Sequence, residues 1–128
     1  MRPKCSDVPL DKMSPIWDIV AMKRLIFHPK ARVIMKEFPE DVRRELGKLL
    51  FDVQCGVNLT MPASRPMPSV AVGVEELRTK DASGIYRVFY FKKSAAGIVV
   101  FHAFTKKTQK TPLYEIELGR QRLREMFE

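Results

Sequence analysis

Apolar residues recur along this chain with two different periods, and the change of period divides it into elements. Ala31, Ile34, Met35 and Phe38 fall on one face at helical spacing. Pro29 suits the first turn of that helix, where a missing N–H removes no bond. A second stripe runs through Val42, Leu46, Leu49, Leu50 and Val53. Pro39-Glu40-Asp41 marks its start, with two acids at the positive end of the helix dipole, and Gly56 marks its stop. The segments on either side of Pro39 therefore predict a helical hairpin. After residue 73 the period shortens. Val74–Thr79, Ile85–Phe91 and Ile98–Phe104 are rich in β-branched and aromatic residues. Ser83-Gly84 and Ala95-Ala96-Gly97 separate them, which predicts an antiparallel meander. Lys23–His28 reads as a short strand ahead of the hairpin. A last helix after Pro112 is expected to bury Leu113, Ile116, Leu123 and Phe127 and to leave Arg120, Arg122 and Arg124 more exposed.

Two stretches lack either period. Residues 1–15 hold Pro3, Pro9 and Pro15 and read as an irregular arm. Residues 57–73 carry Pro62, Pro66, Pro68 and Gly73 and read as a loop, long enough to hint at a functional role. The order of strand, two helices, three strands and helix predicts an α+β fold, with helices on one face of a small antiparallel sheet. A chain of 128 residues, 45% of them hydrophobic, suits one domain, here residues 16–128. It leaves no room for a barrel enzyme or a two-domain nucleotide enzyme.

Charge adds the first functional clue. Lys+Arg 23 against Asp+Glu 15 gives a net +8, which predicts a polyanionic partner. The excess is uneven. Arg78, Lys80, Arg87, Lys92, Lys93, Lys106, Lys107 and Lys110 face a single acid, Asp81, across residues 78–110. That stretch reads as strands, so the excess marks a basic sheet surface. No apolar run approaches the roughly 20 residues of a membrane span. The first residues lack the apolar stretch of a signal peptide, from which a reducing cytosol and unpaired cysteines are expected. Cys5, Cys55, His28 and His102 do not stand at metal-ligand spacing, so neither a metal nor another cofactor is expected.

Several blocks then form a recognisable series. Phe38–Gly47 (FPEDVRRELG) resembles the helical-hairpin signature of the RelE/HigB toxin superfamily, in its phage-derived branch. Gly73–Arg78 (GVEELR) resembles its G-x-x-ELR strand, Tyr86–Tyr90 (YRVFY) its YR-V-x-Y strand, and His102–Pro112 its HAF-KK-x-x-KTP segment. Glu115–Arg122 resembles its closing helix, with Gly119 where alanine is usual. The blocks keep family order over residues 23–126. The resemblance implies a RelE-like α+β fold and a bacterial, cytoplasmic toxin that cleaves mRNA, usually on the ribosome, without a metal. It implies a cognate antitoxin, commonly of helix-turn-helix type. Two alternatives share the motifs: a ParE-like DNA gyrase poison, and a translation inhibitor that binds RNA or ribosomes without catalysis.

Metal-free RNA cleavage needs a base for the 2′-OH, an acid for the leaving 5′-oxygen, and positive charge for the phosphorane. Arg87 interrupts an apolar strand, and its planar fork can grip phosphate at two points. It is the first candidate for phosphate stabiliser, with Arg78 on the neighbouring strand beside it. The resemblance adds Lys106 and Lys107 as basic active-site residues and Glu76 as a possible base. His102 titrates near neutrality and is a candidate acid or base, although simple alternation puts it on an apolar face with Ile98, Val100 and Phe104. Tyr90 is a candidate for stacking on a base, and Lys110, Lys80 and Lys92 for RNA contact.

Overall fold

The computed structural model describes residues 22–106 and 110–127. Strand β1 (Leu25–Phe27) leads into helices α1 (Pro29–Lys36) and α2 (Glu40–Gln54). Strands β2 (Ser64–Pro66), β3 (Val74–Asp81), β4 (Gly84–Ser94) and β5 (Gly97–Lys106) follow, then helix α3 (Leu113–Phe127). The expected arm at residues 1–15 lies outside the described residues. The strands form one sheet in the order β1-β5-β4-β3-β2.

The meander β3–β4–β5 is antiparallel, as its short turns require. The sheet as a whole is mixed rather than antiparallel. β1 lies parallel to β5, with Leu25 opposite Ile98 and Phe27 opposite Val100. No tight turn joins these two strands, so nothing forces them to run in opposite senses. The stretch expected to be a loop contributes β2, which pairs with β3 through Ser64–Leu77, Arg65–Glu76 and Pro66–Glu75. Pro66 fits there because β2 is an edge strand, where a missing donor leaves no ladder bond broken.

Helices cover both faces of the sheet, not one. On one face Phe38, Val42, Leu46, Leu50 and Val53 pack against Leu77, Tyr86, Val88, Tyr90, Ile98, Val100 and Ala103. On the other, Ile116, Leu123 and Met126 of α3 pack against Val74, Phe89, Val99, Phe101 and Phe104. Strands covered on both sides read as continuous apolar runs, which is the character of Ile98–Phe104.

A bulge in β5 alters which face each residue serves. The register passes from Phe89–His102 to Tyr90–Val100 and leaves Phe101 extra. His102 therefore shares the α3 face with Phe89, Phe101 and Phe104, while Ile98 and Val100 face α2. Alternation alone missed this, because a single inserted residue reverses every assignment beyond it.

Helix α3 also departs from its expected stripe. Leu113 and Phe127 are exposed, whereas Gly119 and Arg122 are buried. A Cβ at Gly119 would stand 2.8 Å from Cδ2 of Phe89. Phe89 is fully buried and braced by Phe101, His102 and Phe104. Glycine is the side chain that lets α3 approach the sheet this closely. Cys55, at the C-cap of α2, is disulfide-bonded, contrary to the expectation of unpaired cysteines.

This contact sets two effects against each other. Gly119→Ala gains about 1 kcal/mol of helix propensity. It also forces a methyl group into a ring that cannot move aside, which costs roughly 1–3 kcal/mol. We expect a net loss of stability in chemical denaturation, and Gly119→Ala combined with Phe89→Leu should recover much of it. An alanine variant more stable than the wild type would remove the packing argument.

Candidate active site

The α3 face of the sheet changes character along its length. Under the body of α3 it is apolar except for His102; beyond the helix N-terminus it is charged. The charged region is built on adjacent rungs of the ladder. Arg65 on β2 stands opposite Glu76 on β3, and Arg78 on β3 stands opposite Arg87 on β4. Lys106, at the end of β5, faces Ile85 on β4. Alternation places all these side chains on one side of the sheet.

Glu76 is the centre of the group and is fully buried. Its Oε1 accepts from Arg65 Nε at 3.0 Å. Arg87 Nε lies 3.5 Å and Arg78 Nε 3.9 Å from the same oxygen. Its Oε2 accepts from the Thr111 hydroxyl at 3.1 Å. That hydroxyl also receives Lys106 Nζ at 3.2 Å and Arg65 Nη2 at 3.3 Å. Among the described residues, four cationic side chains thus gather around one carboxylate.

Burial, and then these charges, shift proton affinities in the cluster. Lys106 is buried, and burial is the largest cause that brings its ammonium down to about 8. Glu76 opposes that fall, and Arg87, Arg65 and Arg78 add to it. Burial also lowers Arg87, again against Glu76 and with Arg78 and Arg65. Arg87 donates through Nη1 to the Tyr86 carbonyl at 3.2 Å. The buried Nε–H groups of Arg78 and Arg87 have no hydrogen-bond partner. Both face Glu76 Oε1 as ion pairs beyond hydrogen-bond length, and Arg122 Nε, beneath α3, is likewise without a hydrogen bond. Both arginines line a cleft of about 320 Å³ together with Lys80, Glu45, Thr79, Ile85, Pro62 and Ala63.

The structure brings together Glu76, Arg78, Arg87 and Lys106 of the sequence-derived candidates, with Lys80 at the rim. It adds Arg65 and Thr111, which sequence reasoning missed. Arg65 sits in a proline-rich stretch with no periodic signal, and Thr111 gains its place only from the docking of α3. Other candidates lie elsewhere. Tyr90 is fully buried on the α2 face, bonded to Ser64 Oγ at 2.8 Å, and burial pushes its hydroxyl up to about 12. Lys92 is paired with Glu75 and Asn58, each at 2.9 Å. Lys110 is exposed just before Thr111, and Lys107 lies outside the described residues.

His102 belongs to a separate polar group beneath α3. Its Nδ1 accepts from Arg122 Nη1 at 2.7 Å, and its Nε2 stands 2.9 Å from Glu115 Oε1. An acceptor role for Nδ1 requires the neutral ring with its proton on Nε2, which donates to Glu115. Burial first, then Arg122 and His28, bring His102 down to about 3. The pair with Glu115 is therefore a hydrogen bond donated by a neutral ring rather than an ion pair. It also explains the buried Arg122, whose fork has a partner on the sheet.

A histidine held neutral by the fold binds fewer protons than it does in the unfolded chain. Its contribution to stability is present above the ordinary histidine range near 6.5 and is lost as the pH falls toward 3. Thermal unfolding followed from pH 7 to pH 4 should show falling stability, and His102→Gln should flatten that slope. An identical slope in the two proteins would show that the acid sensitivity has another source.

Among the described residues no group of three or more His, Cys, Asp or Glu side chains is placed to hold a metal ion, and no helix is long and apolar enough to cross a membrane. No curated protein matches the chain. The family model described as "Phage derived protein Gp49-like (DUF891)" matches residues 34–124. That span runs from α1 almost to the end of α3 and includes every residue of the cationic site. The chain therefore belongs to the phage-derived Gp49-like family, a family of RelE/HigB-type toxins of toxin–antitoxin systems.

Proposed function

We propose that the protein is a metal-independent mRNA endonuclease that stops translation, acting on ribosome-bound message in the bacterial cytoplasm. The observation that carries this reading is the gathering of cationic side chains around Glu76, two of which, Arg78 and Arg87, line an adjoining cleft. Such an arrangement is costly in an empty protein and complementary to a phosphate whose charge grows as it is attacked. The guanidinium groups of Arg78 and Arg87, which line the cleft, suit the oxygens of that phosphate.

Roles follow from accessibility and proton affinity. Arg87 and Arg78 face the cleft and stabilise the phosphorane. Glu76 is inaccessible, with both oxygens engaged, so it anchors the cations rather than accepting the 2′-OH proton. Lys106 is the cluster member whose proton affinity lies near neutrality. As the 2′-oxygen bonds to phosphorus, its proton passes to water. As the P–O5′ bond breaks, Lys106 donates a proton to the leaving oxygen. The products are a 2′,3′-cyclic phosphate and a 5′-hydroxyl. Family membership implies a neutralising antitoxin; we assign it the helix-turn-helix type and an acidic segment that meets the basic surface.

The test is cleavage of mRNA by purified protein with ribosomes. Arg87→Ala should lower the single-turnover rate roughly 100- to 1000-fold, the loss expected when one preorganised donor leaves a transition-state site. Arg87→Lys should recover little of it, because a point charge cannot reproduce the planar fork. Wild-type cleavage by folded Arg87→Ala would overturn the assignment. A DNA-damage response on expression, with message left intact, would favour the gyrase alternative.

The pH profile gives a second prediction. If Lys106 acts in its protonated form, the rate is steady below about 8 and falls tenfold per unit above it. Lys106→Arg should be slow and should lose this alkaline limb. A rate that climbs through pH 8 would make the neutral amine the active form and reverse the role.

A further inference from the structure

Thr111 holds a position that neither its residue type nor the family assignment explains. It is buried, it lies just outside α3, and its hydroxyl touches three charged groups from three strands. A threonine hydroxyl has one hydrogen to give and two lone pairs to share. Glu76 Oε2 can only accept, so it takes the hydrogen at 3.1 Å. Lys106 Nζ and Arg65 Nη2 can only donate, so they occupy the lone pairs at 3.2 and 3.3 Å. Every valence of the hydroxyl is used, and the chemistry of the partners leaves one way to use it.

We propose that Thr111 is a positioning residue for the cationic site: its hydroxyl holds the Lys106 ammonium at the site and ties it to the Glu76 carboxylate. This rests on the nuclease reading for its consequence in catalysis, but the contact itself can be tested without it. Lys106 feels charge from three strands: Arg65 on β2, Glu76 and Arg78 on β3, and Arg87 on β4. Three of these repel it and one attracts it. Glu76 attracts Lys106 directly, and the Thr111 hydroxyl is hydrogen-bonded to both. Without that hydroxyl the ammonium loses a hydrogen-bond acceptor that favours its charged form, while the repulsion stays. Serine keeps the geometry; valine keeps the shape and loses the bond.

The experiment is an NMR titration of the Lys106 side chain in the isotopically labelled full chain, with cleavage measured over the same pH range. In Thr111→Val the titration midpoint should fall by about one pH unit, as expected for loss of one charge-assisted hydrogen bond. In Thr111→Ser it should stay within a few tenths of a unit of the wild type, with cleavage largely kept. Thr111→Ala provides the same comparison if the valine variant does not fold. A wild-type midpoint in folded Thr111→Val or Thr111→Ala overturns the proposal, and so does a serine variant that behaves like valine. Midpoints that move as stated with no cleavage by any protein, wild type included, would sustain the positioning role and remove the nuclease reading.

Discussion

The buried carboxylate of Glu76 is the interaction on which the rest of this site depends. Four cations cannot be brought together on one end of a sheet without a counter-charge. A carboxylate cannot be taken fully out of water without hydrogen bonds to both oxygens. Each requirement meets the other here: Arg65 and Thr111 satisfy the carboxylate, and the carboxylate makes the crowding of Arg78, Arg87 and Lys106 tolerable. Among the described residues the cluster holds Glu76 and four cationic side chains, and Glu45 lines the adjoining cleft with Arg78 and Arg87.

Helix α3 decides where that site begins. Its apolar residues cover the sheet around Phe89 and Phe101, and its approach is as close as Gly119 allows. The neutral His102, held between Arg122 and Glu115, secures the same contact from within. Just before the first turn of the helix, Thr111 reaches the charged group. Docking of α3 and assembly of the site are therefore one structural event, with the apolar and the charged halves of a single sheet face meeting at residue 111.

Much of this was readable from the order of residues. The helical hairpin, the three-strand meander and the last helix follow from periodicity and turn chemistry, and the concentration of charge between Arg78 and Lys110 falls on strands that carry part of the cationic cluster. What escaped has physical reasons. β2 is three residues long and gives no period, so Arg65 remained hidden in an apparent loop. The bulge at Phe101 moved His102 to the face opposite Ile98 and Val100, which no alternation rule detects. Arg122 looked exposed because its burial depends on a partner twenty positions away. β1 reaches β5 across most of the chain, and its parallel pairing has no local signature. Burial on both faces was present in the sequence as unbroken apolar runs, but a meander of short hairpins argues equally for a sheet open on one side.

The most direct test of the central claim is the unfolding free energy of Glu76→Gln against the wild type, measured in low salt with and without a short non-cleavable polyphosphate-backbone oligonucleotide. Removing this buried counter-charge weakens the compensation of the cations around it, so we expect a loss of about 3–5 kcal/mol in the free protein. An added polyanion supplies the missing charge, so the gap between the two proteins should narrow when the oligonucleotide is bound. A glutamine variant as stable as the wild type, or a gap that the oligonucleotide leaves unchanged, would contradict the account of Glu76 as the anchor of an anion site.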